Sequence, residues 1–464
     1  MKPDAFCLSD GTTLDALINT DTREVSMRVL SDAEIYNLEM DRIFGKAWIV
    51  LAHASEIPNP GDYVTRDLGQ DPVIVTRDKD GRIHVSLNIC PHRGMRVCTA
   101  EAGNTGIHRC NYHGWAFRSD GSFVGAPVER EKMHGDVFAK ESLGLVKARV
   151  SLYGGLVFAT WSHDGPTLEE FLGDVKFYYD MLFCRTDSGL EALGPPQRVL
   201  INANWKTAGE QSCVDGYHTI SLHRYLLDIG QYGGIGDEVY ANAPAMYGVD
   251  IGTRQGHGLR CIPPENTFSA IMGGRLDGLT PDERLKILPP PGITPNLLPQ
   301  LRKHLSDEQV RLLAEAPPQA GGFFPNILWV FIYAPNAEGE FVGALGLHSF
   351  VPRGPDHFEF YTWFFVEKDA PEDTKQKMLA MSIFYMGSSS TIEQDDSDTW
   401  PHMSSNAKGP QGRKQTLKYG ALVGENKPQG WPGGGFVYEG FSKDDNQWQW
   451  WLAYRDYMLA GKTS

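Results

Sequence analysis

Two short cysteine and histidine motifs, CPH at 90–92 and CNYH at 110–113, constrain the fold of this chain more than any other feature. Strand-like runs at 72–76, 83–88, 115–118 and 122–124, separated by Asp-Gly turns, place each motif on a loop after a predicted strand. Two thiolates and two imidazoles suit either tetrahedral zinc or a two-iron, two-sulfide cluster. Four such ligands in one small all-β unit predict a metal centre, whichever metal it holds.

Composition narrows the class of protein. Of 464 residues, 41% are hydrophobic and 22% are charged, which is typical of globular domains and enough for about three domains or two large ones. The net charge of −15 argues against nucleic acid or an anionic membrane as a partner. The sequence shows neither a secretory signal nor an apolar run of membrane-spanning length, so we expect a cytoplasmic protein. Seven scattered cysteines predict reduced thiols and no disulfide scaffold.

Local pattern changes near residue 165. Before it, the strand-like runs continue to 153–161. After it, the pattern predicts helices at 169–183, 205–227 and 370–386, with strands at 198–202, 327–333, 343–351 and 358–366. Residues 230–300, rich in Gly and Pro, are expected to be irregular and to form a cover over a site, a linker or a subunit contact. The sequence therefore predicts an antiparallel sheet packed with helices after the all-β unit.

A second group of candidate ligands lies on the predicted helix 205–227. His218 and His223 would diverge by about 140° on a regular helix, so they share a metal only if the helix bends, ends or leans around the ion. Asp215 precedes His218 by one turn and is placed to accept a hydrogen bond from its ring. The alternative is an amphipathic helix with ordinary polar residues. For the EQDD run at 393–396, a surface acidic segment is the usual interpretation.

The order of the motifs resembles one family over almost the whole chain. CPHRG and CNYHGW, NWK at 204–206, DGYH at 215–218, FPN at 324–326, PRGP at 352–355 and EQDD resemble the large subunit of Rieske non-haem iron ring-hydroxylating oxygenases, of the naphthalene and biphenyl dioxygenase kind. The resemblance implies an α+β protein with an all-β Rieske domain at 46–165 and a catalytic domain at 166–464. Residues 1–45 are expected to pack on the catalytic domain.

The resemblance also implies two metal centres. The 2Fe–2S cluster is expected on Cys90, His92, Cys110 and His113. The ligands expected for mononuclear Fe(II) are His218, His223 and Asp396, with Asp395 as the alternative carboxylate. Three ligands on one face leave positions open for dioxygen. Asp215 is expected to bridge the two metal centres through His113 of a neighbouring subunit. Gln211 stands where many members carry Asn, so its role is open.

Residues that flank the ligands in sequence are candidates for the substrate pocket: Gln211, Ser212, Val214, Asp215, Tyr385, Met386 and Ile392. Three strand aromatics, Phe331, Phe364 and Phe365, are further candidates, although we expect them to be core. The arginines at 93, 96, 109 and 118 make the first motif region basic. They suit docking of an acidic electron donor, but solvated surface charges are the favoured interpretation.

The implied activity is cis-dihydroxylation of an aromatic substrate with O2 and electrons from NADH or NADPH. No Gly-rich phosphate loop is found, so the nicotinamide is expected on a separate reductase, with or without a ferredoxin. A monooxygenase that hydroxylates or demethylates is the alternative; an electron carrier and a zinc-stabilised interaction protein are two others. The expected assembly is α3β3 with a small β subunit, or an α3 ring.

Overall fold

The computed structural model describes residues 6–132, 137–219, 221–225, 248–264, 276–336, 340–390, 392–440 and 443–460. The chain divides into two compact units, one formed by Phe44–Leu168 and the other by Met1–Ile43 together with Glu169–Ser464. Within the described ranges, no helix is both long enough and apolar enough to cross a membrane.

The strands are β1 Ile18–Asn19, β2 Glu24–Ser26, β3 Ile49–His53, β4 Asp62–Leu68, β5 Asp71–Arg77, β6 Ile83–Leu87, β7 Ala102–Asn104, β8 Ile107–Arg109, β9 Ala116–Arg118, β10 Phe123–Gly125, β11 Arg149–Tyr153, β12 Leu156–Thr160, β13 Leu190–Ala192, β14 Gln197–Ile201, β15 Val249–Gly252, β16 Gly258–Cys261, β17 Pro318–Phe323, β18 Ile327–Pro335, β19 Phe341–Gly354, β20 His357–Glu367, β21 Thr416–Lys418 and β22 Phe436–Glu439. The α-helices are α1 Leu14–Leu17, α2 Ala33–Glu39, α3 Leu168–Leu172, α4 Val175–Phe183, α5 Trp205–Gln211, α6 Gly216–Thr219, α7 Pro281–Ile287, α8 Leu298–His304, α9 Asp307–Glu315, α10 Glu372–Met386, α11 Glu393–Asn406 and α12 Asp445–Leu459.

The unit Phe44–Leu168 is built from three small sheets, with the strand orders β11-β12-β3, β6-β5-β4-β7 and β10-β9-β8. Every neighbouring pair is antiparallel. One buried cluster joins the sheets to the motif loops: Ile74, Cys90, Val97, Cys110, Trp115, Phe117 and Leu145. The predicted all-β unit is confirmed, and both motif cysteines belong to its core.

The second unit is organised by a nine-stranded antiparallel sheet with the order β13-β20-β19-β18-β17-β16-β15-β22, and β14 also pairs with β20. Strands β18 to β20 are rich in branched and aromatic residues, which favour extended backbone packed on both faces. Helix α10 covers part of the sheet through a cluster that includes Phe364, Tyr385 and Met386. The predicted α+β class, with an antiparallel sheet packed with helices, is confirmed.

The prediction of one continuous helix over 205–227 is wrong. Helix α5 ends at Gln211, α6 spans only Gly216–Thr219, and a 3-10 turn follows at Leu222–Arg224; residues 226 and 227 lie outside the described ranges. Val214 has a φ of +72°, a left-handed conformation that β-branched residues rarely adopt and that no α-helix continues through.

Glycines on the sheet explain where that break lies. A Cβ on Gly258 of β16 would lie 2.6 Å from the carbonyl oxygen of Cys213, and one on Gly322 of β17 would lie 2.5 Å from that of Ser212. The backbone between α5 and α6 therefore rests directly on two strands that carry no side chain at the contact. The thiol of Cys213 adds a hydrogen bond to the carbonyl of Gly256 at 2.8 Å.

Two further predictions about secondary structure are wrong in part. The helix predicted over 169–183 is divided into α3 and α4 at Gly173, whose φ is +51°. The segment 230–300 is not irregular where it is described: β15 and β16 are strands of the large sheet, and α7 and α8 follow. Its other parts, 230–247 and 265–275, lie outside the described residues, so its role as a cover, linker or contact stays a prediction.

Candidate metal centres

The two motif loops of the first unit have the same backbone geometry. In each loop the carbonyl of the cysteine accepts a hydrogen bond of 2.9 Å from a glycine four residues later, Gly94 for Cys90 and Gly114 for Cys110. The two glycines have φ values of +74° and +73°, which a residue without a Cβ adopts at little cost. Each loop is thus closed by its own backbone, before any metal is considered.

The side chains on these loops converge on one place. Cys90 and Cys110 are both buried, and the rings of His92 and His113 lie with their centroids 4.5 Å apart. Burial, supported by the adjacent Cys110 thiol, raises the pKa of Cys90 to about 11. A buried thiol that resists ionisation, as Cys90 does, becomes a thiolate metal ligand when a cation binds beside it. The set of two sulfurs and two imidazoles therefore fits a metal cluster.

The rim of this site is polar and open. Tyr112 is 58% exposed, and the four arginines predicted near the motifs are all on the surface: Arg93, Arg96, Arg109 and Arg118. Arg109 donates a hydrogen bond of 3.1 Å to the carbonyl of Gly114, so it also braces the second loop. Their exposure agrees with the favoured interpretation of solvated charges, and a docking role stays a prediction.

The second unit brings three predicted ligands together. The Nε2 atoms of His218 and His223 are 3.2 Å apart, and each lies 3.7 Å from one carboxylate oxygen of Asp396. All three ligand atoms lie within 4.8 Å of one another. Ligands that meet at right angles around a metal with bonds of about 2.1 Å are about 3 Å apart. The end of α6 and the 3-10 turn at Leu222–Arg224 provide the change of direction that a straight helix lacks.

A second carboxylate stands behind each histidine. The Nδ1 of His223 lies 3.4 Å from Asp395, and the Nδ1 of His218 lies 3.6 Å from Asp215. Asp215 also accepts a hydrogen bond of 3.1 Å from the backbone N–H of His218. The hydrogen bond from the ring of His218 stays a prediction. Carboxylates on this side favour a proton on Nδ1 and leave Nε2 as the metal-binding atom. Asp395, the alternative ligand, thus lies on the outer side of His223.

The electrostatics of the three residues fit a dication. Burial acts to raise the pKa of Asp396, but the two histidines outweigh it and hold this pKa below its ordinary value. Burial likewise opposes protonation of His218, yet Asp396 and Asp215 hold the pKa of His218 above its ordinary value. Asp396 Oδ1 is buried without a hydrogen-bond partner. A buried carboxylate that faces two imidazole Nε2 atoms suits the two-histidine, one-carboxylate face of Fe(II).

Helix α11 presents one polar face to the interior of its unit. Glu393, Asp396, Trp400 and Ser404 are all buried and recur every three or four residues, so they share one side of the helix. The usual interpretation of an acidic run, a surface segment, does not apply to Glu393 and Asp396, because the helical period turns them inward while Gln394 stays exposed.

Two contacts of this face secure α11 to α5. The indole N–H of Trp400 donates to Gln211 Oε1 at 2.7 Å, and Gln211 Nε2 lies 3.3 Å from Nε2 of His218. Near the other end, the backbone N–H of Asn204 donates to the hydroxyl of Ser404 at 2.7 Å. We did not predict Trp400 from the sequence, although its position four residues after Asp396 was a usable signal.

Sequence reasoning also missed a buried histidine beneath α11. His348 on β19 has its Nε2 3.3 Å from Glu393 and its Nδ1 3.0 Å from the hydroxyl of Thr362. Burial lowers the pKa of His348 to about 3 and holds the pKa of Glu393 well above its ordinary value. The pair therefore connects the sheet to the helix that carries Asp396.

The candidates for the substrate pocket fall into three sets. Gln211 reaches the ligand cluster as described above. Val214, Tyr385 and Met386 are buried, and Ile392 packs on the same apolar cluster as Met386. The three strand aromatics are buried as expected of core residues: Phe331, Phe364 and Phe365. A substrate-lining role for any of these residues stays a prediction.

Comparisons with known proteins place the chain in one family. The family model described as a Rieske [2Fe-2S] domain matches residues 47–144, and the one described as the ring hydroxylating alpha subunit (catalytic domain) matches residues 168–420. The alpha subunit of a chlorobenzene dioxygenase from Cupriavidus sp. is 31% identical over 89% of this chain and 86% of that protein. The alpha subunit of an N,N-dimethyl phenylurea N-demethylase from Sphingobium sp. is 34% identical over 84% and 82%, respectively.

The solved structures give the same result. Naphthalene 1,2-dioxygenase from Rhodococcus sp., bound to indole, matches with a TM-score of 0.83 and 34% identity, covering 96% of each chain. The fold and the order of its parts are therefore shared over nearly the full length of this chain.

Proposed function

Because the chain belongs to the family of Rieske ring-hydroxylating dioxygenase alpha subunits, we propose that it cis-dihydroxylates an aromatic substrate with O2 and electrons from NAD(P)H. The family carries one 2Fe–2S cluster and one mononuclear iron. We assign the cluster to Cys90, His92, Cys110 and His113, and the mononuclear iron to His218, His223 and Asp396. The convergence of these last three ligand atoms is the observation that carries the proposal.

The chain's own residues prepare the mononuclear site. When bound, the iron activates dioxygen and the cluster supplies the electrons. His218, His223 and Asp396 hold the metal from one side and leave other positions open. Asp215 and Asp395 fix the direction of the two rings, since carboxylates behind ligating histidines set tautomer and orientation. The apolar residues beneath α10 would exclude water from a hydrophobic substrate.

Asp215 has a second role in the proposal, as the bridge between metal centres. Its pKa lies below the ordinary value because His218 outweighs the effect of burial, so it carries the charge that an imidazole N–H would seek. We assign that imidazole to His113 of a neighbouring copy, which makes the oligomer the working unit. An α3β3 assembly with a small β subunit, or an α3 ring, would provide this interface.

The exposed rim of the cluster site would receive electrons from the donor protein. The arginine-rich rim around Tyr112 suits an acidic ferredoxin or reductase, and the separate reductase would bind the nicotinamide. We place the reaction in the cytoplasm, where reduced nicotinamide is available.

A monooxygenase activity is the second candidate, and one observation favours it. The N-demethylase alpha subunit is 34% identical to this chain, which equals the identity to the naphthalene dioxygenase. The ligand set is the same for both reactions, so the placement of the substrate decides between them.

The test is a product assay with purified donor proteins, labelled dioxygen and a panel of arenes and N-methylated aryl ureas. Dioxygenation predicts a cis-diol that carries two labelled oxygen atoms, and demethylation predicts formaldehyde with a single oxygen incorporated. Asp396→Ala is the inactive control. A cluster-loaded, iron-loaded protein that oxidises no aromatic compound on the panel and consumes no dioxygen would argue against both activities.

The bridging role has its own experiment. Chains with His113→Ala and chains with His218→Ala are each expected to be inactive, and co-assembly should recover activity because one interface then joins an intact cluster to an intact iron. Verified mixed oligomers without activity would exclude transfer between copies. Asp215→Asn should keep both metals and lose most turnover.

A further inference from the structure

We infer that Trp400 fixes the orientation of the Gln211 amide, so that Gln211 turns its amide nitrogen toward the mononuclear iron site and is not a fourth protein ligand. The inference rests on the proposed function, because it takes His218, His223 and Asp396 as the ligands of that iron.

The indole decides which end of the amide faces which way. An indole N–H is a donor only, while a glutamine amide offers an acceptor oxygen at one end and a donor nitrogen at the other. The 2.7 Å contact between Trp400 Nε1 and Gln211 Oε1 therefore requires the oxygen at the indole end. Rotating the amide by half a turn would set two donors against each other at a tryptophan that is 1% exposed.

The nitrogen end then faces the ligands. Gln211 Nε2 lies 3.3 Å from Nε2 of His218, so the amide nitrogen is the end that faces the iron-binding atoms. An amide nitrogen has no available lone pair for a metal, whereas an amide oxygen is an ordinary ligand for a hard cation. Trp400 thus holds the coordinating end of Gln211 away from the site.

The indole itself has little freedom to turn. Three phenylalanines of the sheet surround it, with ring centroids 5.8 Å away for Phe350 and Phe358 and 5.9 Å away for Phe360. Trp400 also lies one helical turn after Asp396 on α11, so the anchor and the carboxylate are parts of one rigid element. Gln211 is the last residue of α5 and its side chain reaches both Trp400 and His218, a span that the shorter side chain of Asn would cover less well.

The consequence is that the coordination number is set by a residue that never touches the metal. With the amide held by Trp400, the protein supplies three ligands. Without that hydrogen bond the amide is free to rotate, and its oxygen becomes available as a fourth. The substitution Trp400→Phe keeps an aromatic ring at this position and removes the N–H donor together with part of the ring volume.

The experiment measures Fe(II) release to a chelator and near-infrared magnetic circular dichroism on cluster-loaded enzyme, alongside turnover. We expect Trp400→Phe to slow iron release, to change the ligand-field bands and to lower turnover by about tenfold to a hundredfold, the range known for groups that orient metal ligands. Gln211→Glu places an acceptor oxygen at both positions of the former amide. It should change iron release, the ligand-field bands and turnover in the same direction as Trp400→Phe. Gln211→Leu should lower turnover without slowing iron release.

The double variant separates positioning from packing. If Trp400 acts through Gln211, Trp400→Phe has no further effect on iron release or turnover in the Gln211→Leu background. Equal losses in both backgrounds, or faster iron release in Trp400→Phe alone, would overturn the inference. Should Trp400→Phe fail to fold, Gln211→Glu carries the test, and unchanged ligand-field bands in that variant would contradict it. A different result would refute the proposed function itself: wild-type protein that holds no more iron than Asp396→Ala does.

Discussion

The two proposed metal centres of this chain are assembled in opposite ways. The cluster site lies on two short loops of one unit, and each loop is closed by a hydrogen bond between its own cysteine and glycine. The mononuclear site joins segments that are far apart in sequence, since Asp396 on α11 meets His218 and His223 of the broken helix. The first site is a property of local backbone, whereas the second exists only if a sheet, a broken helix and α11 all pack correctly.

The strongest test of this difference places a methyl group where the broken helix rests on the sheet. In Gly258→Ala the new Cβ would lie 2.6 Å from the carbonyl oxygen of Cys213 and 3.1 Å from its Cα, so the contact is with backbone atoms. We expect a loss of about 3 kcal/mol in the stability of the catalytic unit, at the upper end of overpacking costs, and loss of the mononuclear iron. Cluster absorbance should be unchanged. Gly420→Ala is the control, because nothing lies within 4 Å of that added Cβ.

A milder test removes a charge behind one ligand. Asp395→Asn keeps the shape of the side chain but withdraws the carboxylate 3.4 Å from His223 Nδ1. We expect iron affinity to fall about tenfold to a hundredfold, measured by chelator competition. Asp398→Asn, on an exposed position of the same helix, should have no effect. An equal effect of both substitutions would show that Asp395 acts only through the general charge of α11.

The cluster loops offer a matched pair of glycines. Both Gly94→Ala and Gly114→Ala force a side chain into the left-handed region, at a cost of about 1 to 2 kcal/mol. Only the Cβ of Gly114→Ala meets a neighbour, at 2.8 Å from Pro127 Cγ, whereas nothing lies within 4 Å at Gly94. We therefore expect lower cluster content for Gly114→Ala than for Gly94→Ala, measured as visible absorbance per chain. The reverse order would mean that the loops do not control cluster binding.

A further test concerns the dependence of stability on pH. Burial raises the pKa of Glu210 to about 8, although Trp451 donates a hydrogen bond of 3.0 Å to it. The folded protein therefore holds a proton that the unfolded chain releases above its ordinary pKa, so stability falls as pH rises from about 4.5 to about 8. Glu210→Gln should remove this fall in the free energy of unfolding. Melting curves across that range, with exposed Glu425→Gln as control, measure it.

The contrast between the centres also explains what could be predicted from the sequence. The cluster ligands, the all-β unit and the antiparallel sheet follow from local spacing and strand-like runs. The helix break at Val214 was not predictable, because its cause is the pair of glycine-lined strands beneath it, more than forty residues later. His348 was missed for the same reason: in sequence it belongs to an ordinary strand pattern, and only packing brings it to Glu393.

The central claim is that this chain builds two independent iron centres. The most direct test is to measure iron and labile sulfide per chain and to record Mössbauer spectra of the iron. Wild-type protein should hold about three irons and two sulfides. Asp396→Ala should keep about two irons and two sulfides with an unchanged cluster spectrum, and Cys110→Ser should keep about one iron and no sulfide. Stoichiometric zinc without sulfide, or loss of both centres from either single substitution in a folded chain, would contradict the account.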